Sequence, residues 1–261
     1  MNHLRRRLVL SLTAAVAIGA SLGAGAQEIT ISAAASLQNA MRDIGTAYQT
    51  AHPGRQVNFN FAASGPLLAQ IAQGAPVDVF ASADAETMDK AQAQSLIKAD
   101  TRVNFAANEL VLVSPLAQPA SIKALADLKR PAITHIAAGT PATVPAGRYA
   151  QAALESQGLW TELTPKFVFA ENVRQALSYV SRGEAEAGFV YRTDAMVEKD
   201  KVRIDLVVPT TKPVVYPIAL VAGTKNAAAA TDFVKFVTGA PGQAVLGKFG
   251  FTTAANKAPT P

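Results

Sequence analysis

The hydroxyl group of Ser36 stands where a strand is predicted to end and a helix to begin. The segment 28–32 alternates polar and apolar residues as a strand does, and from Leu37 to Tyr48 apolar residues recur at helical spacing. Ser36 is therefore predicted to be the N-cap, with its side chain and the free N–H groups of the first turn pointing outward. Such a helix end can hold an anion. The alternative is a serine that only caps its helix.

A second serine, Ser64, follows a predicted strand over 57–61 in the same way. Gly65 lets a ligand approach the backbone closely, and Pro66 stands where the first turn of a helix tolerates a missing N–H. The segment therefore repeats the arrangement at Ser36. An ordinary cap and turn is the other interpretation.

The small-residue loop 139–149 runs into a helix predicted to begin at Pro145. A proline at the first helical position leaves the N–H of Ala146 free at the positive end of the helix. Arg148 could contact an anion, but on a helix it more often faces solvent or an acidic side chain. A plain flexible loop is the alternative.

Two more candidates lie further along the chain. Glu171 and Asn172 are cap candidates ahead of an amphipathic helix that begins at Val173, and Tyr191 ends a buried type of strand at 188–191. The tyrosine hydroxyl could face a cleft, although a tyrosine in such a place is more often a core residue.

Sequence signatures of enzymes are mostly missing. The chain has no G-x-S-x-G elbow, P-loop, dinucleotide-binding glycine triplet or H-E-x-x-H motif. His52 falls in a predicted turn and His135 in a predicted strand, so neither suggests a general base. Asp78 and Asp84 are interpreted as strand-end and cap residues rather than as a catalytic pair. The sequence therefore favours a protein that is not an enzyme.

The first 26 residues have the three parts of a secretory signal peptide. Arginines at 5–7 precede an apolar run over 8–20, and a small-residue site predicts cleavage after Ala26 and export to a periplasm. No cysteine is present for a disulfide, a thiol nucleophile or a cysteine metal site. Removal of the signal leaves 21 basic and 19 acidic residues, which argues against a nucleic-acid partner.

Strand-like and helix-like segments alternate from Gln27 onward, which predicts an α/β fold with largely parallel sheets. The rhythm restarts after an apolar strand at 108–115, and a second such strand follows at 215–221. These two strands are interpreted as links between two lobes. Lobe one is predicted to comprise 27–107 and 222–261, and lobe two 108–221 with the hinge strands.

Lined up in order, the motifs resemble the periplasmic molybdate-binding family of bacterial ABC transporters over essentially all of the mature chain. The resemblance rests on six segments: AAASL at 33–37, FAAS at 61–64, GAPVDVFASAD at 74–84, VPAG at 144–147, ENVR at 171–174 and GFVY at 188–191.

The resemblance implies a type II periplasmic binding protein that holds molybdate, and tungstate with it, between two α/β lobes. Its donors would be the hydroxyls of Ser36, Ser64 and Tyr191 and backbone N–H groups at Ala146 and Val173. The anion is the transported ligand rather than a cofactor, and the donors would bind its oxygens, not the metal itself. The implied partners are a membrane permease and indirectly its ATPase, with the binding protein itself a monomer.

Three alternatives stay open. The chain could be a carrier of the same fold for sulfate, phosphate or another small oxyanion, and the direction in which Glu171 faces would help to discriminate these. A transcriptional sensor would need a DNA-binding motif where the export signal stands. An enzyme on this scaffold is disfavoured by the missing cysteine and the scarcity of histidine.

Overall fold

The computed structural model describes residues 27–117 and 122–254. The predicted signal peptide with its cleavage site lies outside the described residues. Among the residues described, no helix is long and apolar enough to span a bilayer.

The described chain alternates strands and helices as predicted. The strands are β1 Gln27–Ala34, β2 Arg55–Ala62, β3 Val79–Ala81, β4 Val103–Asn108, β5 Leu110–Pro115, β6 Ile136–Gly139, β7 Phe167–Ala170, β8 Ala187–Tyr191, β9 Val202–Val207 and β10 Val214–Leu220. The helices are α1 Gln38–Ala51, α2 Ser64–Ala72, α3 Ala85–Ala93, α4 Pro145–Glu155, α5 Trp160–Leu163, α6 Val173–Ser181, α7 Arg192–Val197, α8 Ala227–Thr238 and α9 Ala240–Lys248.

The strands form two five-stranded sheets of equivalent topology, ordered β2-β1-β3-β10-β4 and β7-β6-β8-β5-β9. In each sheet the first three strands pair in parallel, while β10 in one and β5 in the other run antiparallel to both of their neighbours. Four of five strands therefore point the same way. The sheets predicted as mostly parallel are mixed, with one reversed strand each.

The reversed strand in each sheet comes directly after the chain has crossed from the other sheet. The chain leaves the first sheet between β4 and β5, and it returns between β9 and β10. We call these connections, 108–110 and 207–214, the two crossings. The strand Val214–Leu220, predicted as part of lobe two, pairs instead with β3 and β4 of the first sheet. The second connection between the lobes therefore precedes β10, and β10 itself belongs to the first sheet.

Apolar side chains are buried on both faces of the sheets, as expected where helices cover each face. The helices α8 and α9 pack against α1 and the first sheet, and Thr252 bridges to Ala107 of β4. The described C-terminal helices therefore pack with the first lobe.

Candidate anion-binding site

The candidate site lies between the lobes, where parallel strands of both sheets end. In the first sheet, β1, β2 and β3 run into the segments that carry Ser36, Ser64 and Ala83. In the second, β6 and β7 lead to Ala146 and Val173, and β8 ends at Tyr191 itself. Ligands of open α/β sheets bind outside the carboxyl ends of strands, so the topology alone brings six chain segments to one place.

All five residues predicted from the sequence line one small cavity of about 10 Å³. Each of them is at least 96% buried. The complete lining is Ala34, Ala35, Ser36, Ala63, Ser64, Ala83, Val144, Pro145, Ala146, Val173 and Tyr191. No acidic or basic side chain is among these residues, so the polar groups offered to a ligand are hydroxyls and backbone amides.

Ser36 is not the N-cap that the sequence predicted. The strand β1 continues to Ala34, and Ser36 lies in the middle of a 3-10 turn, Ala35–Leu37, that leads into α1. The pairing of β1 with β2 extends to Ala34 and Ala62, so the backbone stays extended two residues further than the alternation suggested. The Ser36 Oγ lies 3.1 Å from the hydroxyl oxygen of Tyr216.

Ser64 is the first residue of α2, and Ala63 takes the N-cap position. The Ser64 Oγ accepts a hydrogen bond from the N–H of Ala83 at 3.0 Å, which leaves its own proton for another acceptor. The N–H of Gly65 donates across the cleft to the carbonyl oxygen of Thr143 at 3.1 Å. This segment therefore both presents a hydroxyl donor and ties the lobes together.

Ala146 and Val173 lie in the first turns of α4 and α6, where backbone N–H groups have no intrahelical acceptor. Asn172 caps α6 by accepting from the N–H groups of Arg174 and Gln175, both at 3.0 Å, and so leaves the Val173 N–H for a ligand. Pro145 begins α4 as predicted.

Tyr191 reaches across the cleft, because its hydroxyl donates to the carbonyl oxygen of Ala83 at 3.2 Å. Burial raises the pKa of Tyr191 well above its usual value, so the phenol stays protonated and remains a donor. In this arrangement its proton is bound to the protein, and binding an anion would require the hydroxyl to exchange that partner.

Two arginines lie close to the cavity but are paired with acids. Arg148 of α4 forms ion pairs with Asp84 and Glu86 of the first lobe, the acid contact expected of a helical arginine. Arg174 pairs with the buried Asp194 and also donates to Asn39 Oδ1 at 2.8 Å and to Ser36 O at 3.2 Å. Burial raises the pKa of Asp194, and the charge of Arg174 opposes that rise.

The remaining candidates lie outside the cavity. Glu171 lines a separate opening of the cleft with Phe61 and Thr140, and its side chain is exposed. Asp84 caps α3 by accepting from the N–H of Thr87 at 3.1 Å, and Asp78 accepts from the N–H of Thr30 at 2.9 Å, so both have the structural roles predicted for them.

The two histidines in the described part of the chain also have structural contacts. His52 stacks on Tyr48, and His135 lies 3.9 Å from Glu186. In the described ranges, no group of three or more histidine, cysteine, aspartate or glutamate side chains could hold a metal ion.

Ala83, Asn108 and Tyr216 contribute to the site and were not singled out from the sequence. Ala83 supplies an N–H to Ser64 and a carbonyl to Tyr191, while Asn108 and Tyr216 stand behind Ser36. Ala83 acts through its backbone, and a backbone contact cannot be recognised from the residue type. Tyr216 lies in a predicted apolar strand and reads as a core residue.

Two lobes, two crossings and a small buried cavity of hydrogen-bond donors define a solute-binding protein that encloses its ligand between lobes. The family model for bacterial extracellular solute-binding proteins matches residues 29–252. The chain belongs to this family.

The chain is 39% identical to the molybdate-binding protein ModA of Escherichia coli over 256 residues, which cover 95% of this chain and 98% of the relative. It is 37% identical to a putative ABC transporter substrate-binding lipoprotein of Bacillus subtilis, with 86% of each chain covered. Among solved structures, the periplasmic molybdate-binding protein of Azotobacter vinelandii superposes with a TM-score of 0.75 at 26% identity, with 86% of this chain and 98% of that chain covered. The named relatives are binding and transport proteins.

Proposed function

We propose that the protein captures molybdate between its lobes and delivers it to the permease of an ABC transporter. The observation that carries the proposal is the meeting of Ser36, Ser64, Ala146, Val173 and Tyr191 in one buried cavity lined by donors. The relatives named as molybdate-binding proteins over nearly their whole length support the choice of ligand. Molybdate is cargo here and not a cofactor.

The donor set suits a dianion without a charged side chain at the ligand. A helix start carries a partial charge of about half a proton, so the turn at Ser36 and the starts of α2, α4 and α6 together offset roughly two negative charges. A hydrogen bond to a charged group contributes about 1.5–3 kcal/mol. Several such bonds from both lobes hold the ligand and favour closure.

The same donor set disfavours a protonated oxyanion, because the ligand's own hydrogen would need an acceptor. An unmatched buried O–H is costly, so hydrogen phosphate should bind poorly. Sulfate is fully deprotonated and is disfavoured instead by size, since a smaller anion cannot reach donors on both lobes at once. Tungstate matches molybdate in size and charge, so we propose that it binds as well.

The setting follows from the family and from the predicted export signal. We propose cleavage after Ala26, a periplasmic monomer, and recognition of the closed, loaded form by the permease, with its ATPase as an indirect partner. Co-purification of the mature protein with the permease only when molybdate is present would support this sequence of events.

Isothermal titration of the chain from Gln27 onward with molybdate, tungstate, sulfate and phosphate tests the proposal. We expect tight one-to-one binding of the first two and none of the others. Tight binding of sulfate or phosphate would contradict the ligand while leaving the fold class intact. Failure of all four anions to bind would contradict the function.

A further inference from the structure

The hydroxyl of Ser36 has a fixed neighbour on the side away from the cavity. Tyr216 is fully buried, does not line the cavity, and places its hydroxyl oxygen 3.1 Å from the Ser36 Oγ. Either oxygen could donate in this pair. The direction of the bond decides whether Ser36 presents a proton or a lone pair to the ligand, so it matters for binding.

Asn108 settles that direction. Its Oδ1 accepts the N–H of Glu109 at 2.9 Å, which identifies the other end of the side chain as the amide nitrogen. That nitrogen donates to the Tyr216 hydroxyl at 3.2 Å and to Thr193 Oγ1 at 2.8 Å. Both of its protons are therefore used.

A phenol has one proton, and Asn108 already donates to its oxygen, so the Tyr216 proton is left for Ser36. Ser36 then accepts from Tyr216, and its own proton points away, toward the cavity. We propose that Asn108 and Tyr216 are positioning residues that make Ser36 a hydrogen-bond donor to the ligand and so disfavour oxyanions that carry a proton. This inference rests on the proposed function and extends it.

These hydrogen bonds lie where the two lobes are connected, so they also link Ser36 to lobe closure. Asn108 is the last residue of β4, at the first crossing, and Thr193 belongs to α7 of the second lobe. Tyr216 follows the second crossing, in β10. The amide that sets the direction of the Ser36 proton is thus held by both lobes at the hinge.

The variant Asn108→Asp reverses the direction of these hydrogen bonds, because a carboxylate accepts where the amide donates. Tyr216 would then donate to residue 108, Ser36 would donate to Tyr216, and a lone pair of Ser36 would face the anion. We expect molybdate affinity to fall roughly a hundredfold, as a charge-assisted bond is lost and a repulsive contact replaces it. The affinity for hydrogen phosphate relative to molybdate should rise, which a simple loss of structure would not produce.

The control separates this reversal from the added negative charge. In a Tyr216→Phe background the series of hydrogen bonds to Ser36 is broken. Asn108→Asp should then lower molybdate affinity less than about tenfold, through its negative charge alone. Tyr216→Phe by itself leaves Ser36 free to rotate and should cost only a few-fold. Equal losses from Asn108→Asp in both backgrounds, with an unchanged phosphate-to-molybdate ratio, would overturn the inference.

If Asn108→Asp does not fold, as judged by circular dichroism and thermal melting, Asn108→Leu serves the same comparison. Its loss of affinity should be about three- to tenfold in the wild-type background and absent with Tyr216→Phe. An equal loss in both would also overturn the inference. If the unmodified protein binds another oxyanion instead of molybdate, the proposed function fails, and the same comparison run with that anion still tests the role of Asn108 and Tyr216.

Discussion

The serine and tyrosine hydroxyls in the cavity are not equivalent. Ser64 accepts a hydrogen bond from the protein, and Ser36 has the Tyr216 hydroxyl behind it, so both can give their protons to a ligand. Tyr191 already donates to Ala83, and an anion must compete with that carbonyl. The serines should therefore contribute more to net affinity than the tyrosine does.

Ser36→Ala should weaken molybdate binding by roughly tenfold or more, because it removes one charge-assisted hydrogen bond. Isothermal titration measures the change. Ser32→Ala is a matched control, because Ser32 is equally buried on β1 but does not line the cavity. Unchanged affinity in Ser36→Ala, or an equal loss in Ser32→Ala, would contradict the role given to Ser36.

Tyr191→Phe should weaken binding by less, about three- to tenfold, because the hydroxyl exchanges one acceptor for another. Without ligand, the melting temperature should fall by no more than about 4 °C, the effect of about 1 kcal/mol in a protein of this size. A much larger fall without ligand would support the alternative in which Tyr191 is chiefly a core residue.

At the scale of elements, the position of α4 depends on a close backbone approach. A Cβ atom on Gly147 would lie 1.9 Å from the carbonyl oxygen of Gly139, at the end of β6. Only a glycine lets the first turn of α4 pack this tightly against the strand. The position of the Ala146 N–H therefore depends on the close packing of Gly147, the next residue.

Gly147→Ala should displace the start of α4, lower the melting temperature and reduce molybdate affinity at least tenfold, since the Ala146 donor moves with the helix. Gly247→Ala in α9 is the matched control, because no heavy atom lies within 4 Å of an added Cβ there. That change should leave binding intact and keep or slightly raise stability. Similar behaviour of the two variants in thermal melting and titration would refute the packing argument.

Helix ends that are fixed by a local proline or capping residue could be predicted from the sequence. Ends that depend on pairing between strands could not. The start of α4 at Pro145 and the start of α6 after Asn172 agree with the structure, because a proline and an asparagine cap fix them locally. Ser36 and Ser64 were predicted to precede their helices, but Ser36 lies in a 3-10 turn that follows the longer β1, and Ser64 is already the first residue of α2. The strand Val202–Val207 was missed although its alternation is visible.

At the scale of the molecule, the two lobes are joined by contacts around the cavity as well as by the crossings. Arg148 of α4 pairs with Asp84, whose side chain is 4% exposed, and Arg174 of α6 bonds to Asn39 and to the Ser36 carbonyl. These bonds exist only when the lobes are together. They stabilise the closed arrangement independently of a ligand, and the apparent affinity depends on the population of that arrangement.

Arg148→Gln should shift the unliganded protein toward open lobes and weaken molybdate binding about three- to tenfold, mainly through faster release. Small-angle X-ray scattering without ligand should show a larger radius of gyration, and stopped-flow release should be faster. Arg182→Gln is the control, because Arg182 forms an exposed ion pair with Glu184 within the second lobe. No difference between the two variants would contradict a role for Arg148 in closure.

The two-lobed α/β architecture could be predicted from the sequence because its rhythm of strands and helices stops and restarts. The pairing of Val214–Leu220 with the first sheet could not be, because an apolar strand carries no mark of the lobe to which it belongs. The five candidate ligand residues came from local strand and helix ends together with the family resemblance. Asn108 and Tyr216 needed coordinates, since they act through Ser36.

The central claim is that these five residues bind one oxyanion between the lobes, and crystals grown with molybdate test it most directly. Anomalous diffraction should show one molybdenum position in the cavity, with oxygens about 3 Å from the hydroxyls of Ser36, Ser64 and Tyr191 and from the N–H groups of Ala146 and Val173. A molybdenum position elsewhere, for example in the cleft lined by Glu28, Asp78 and Lys225 on the first lobe, with no density in the cavity, would contradict the claim.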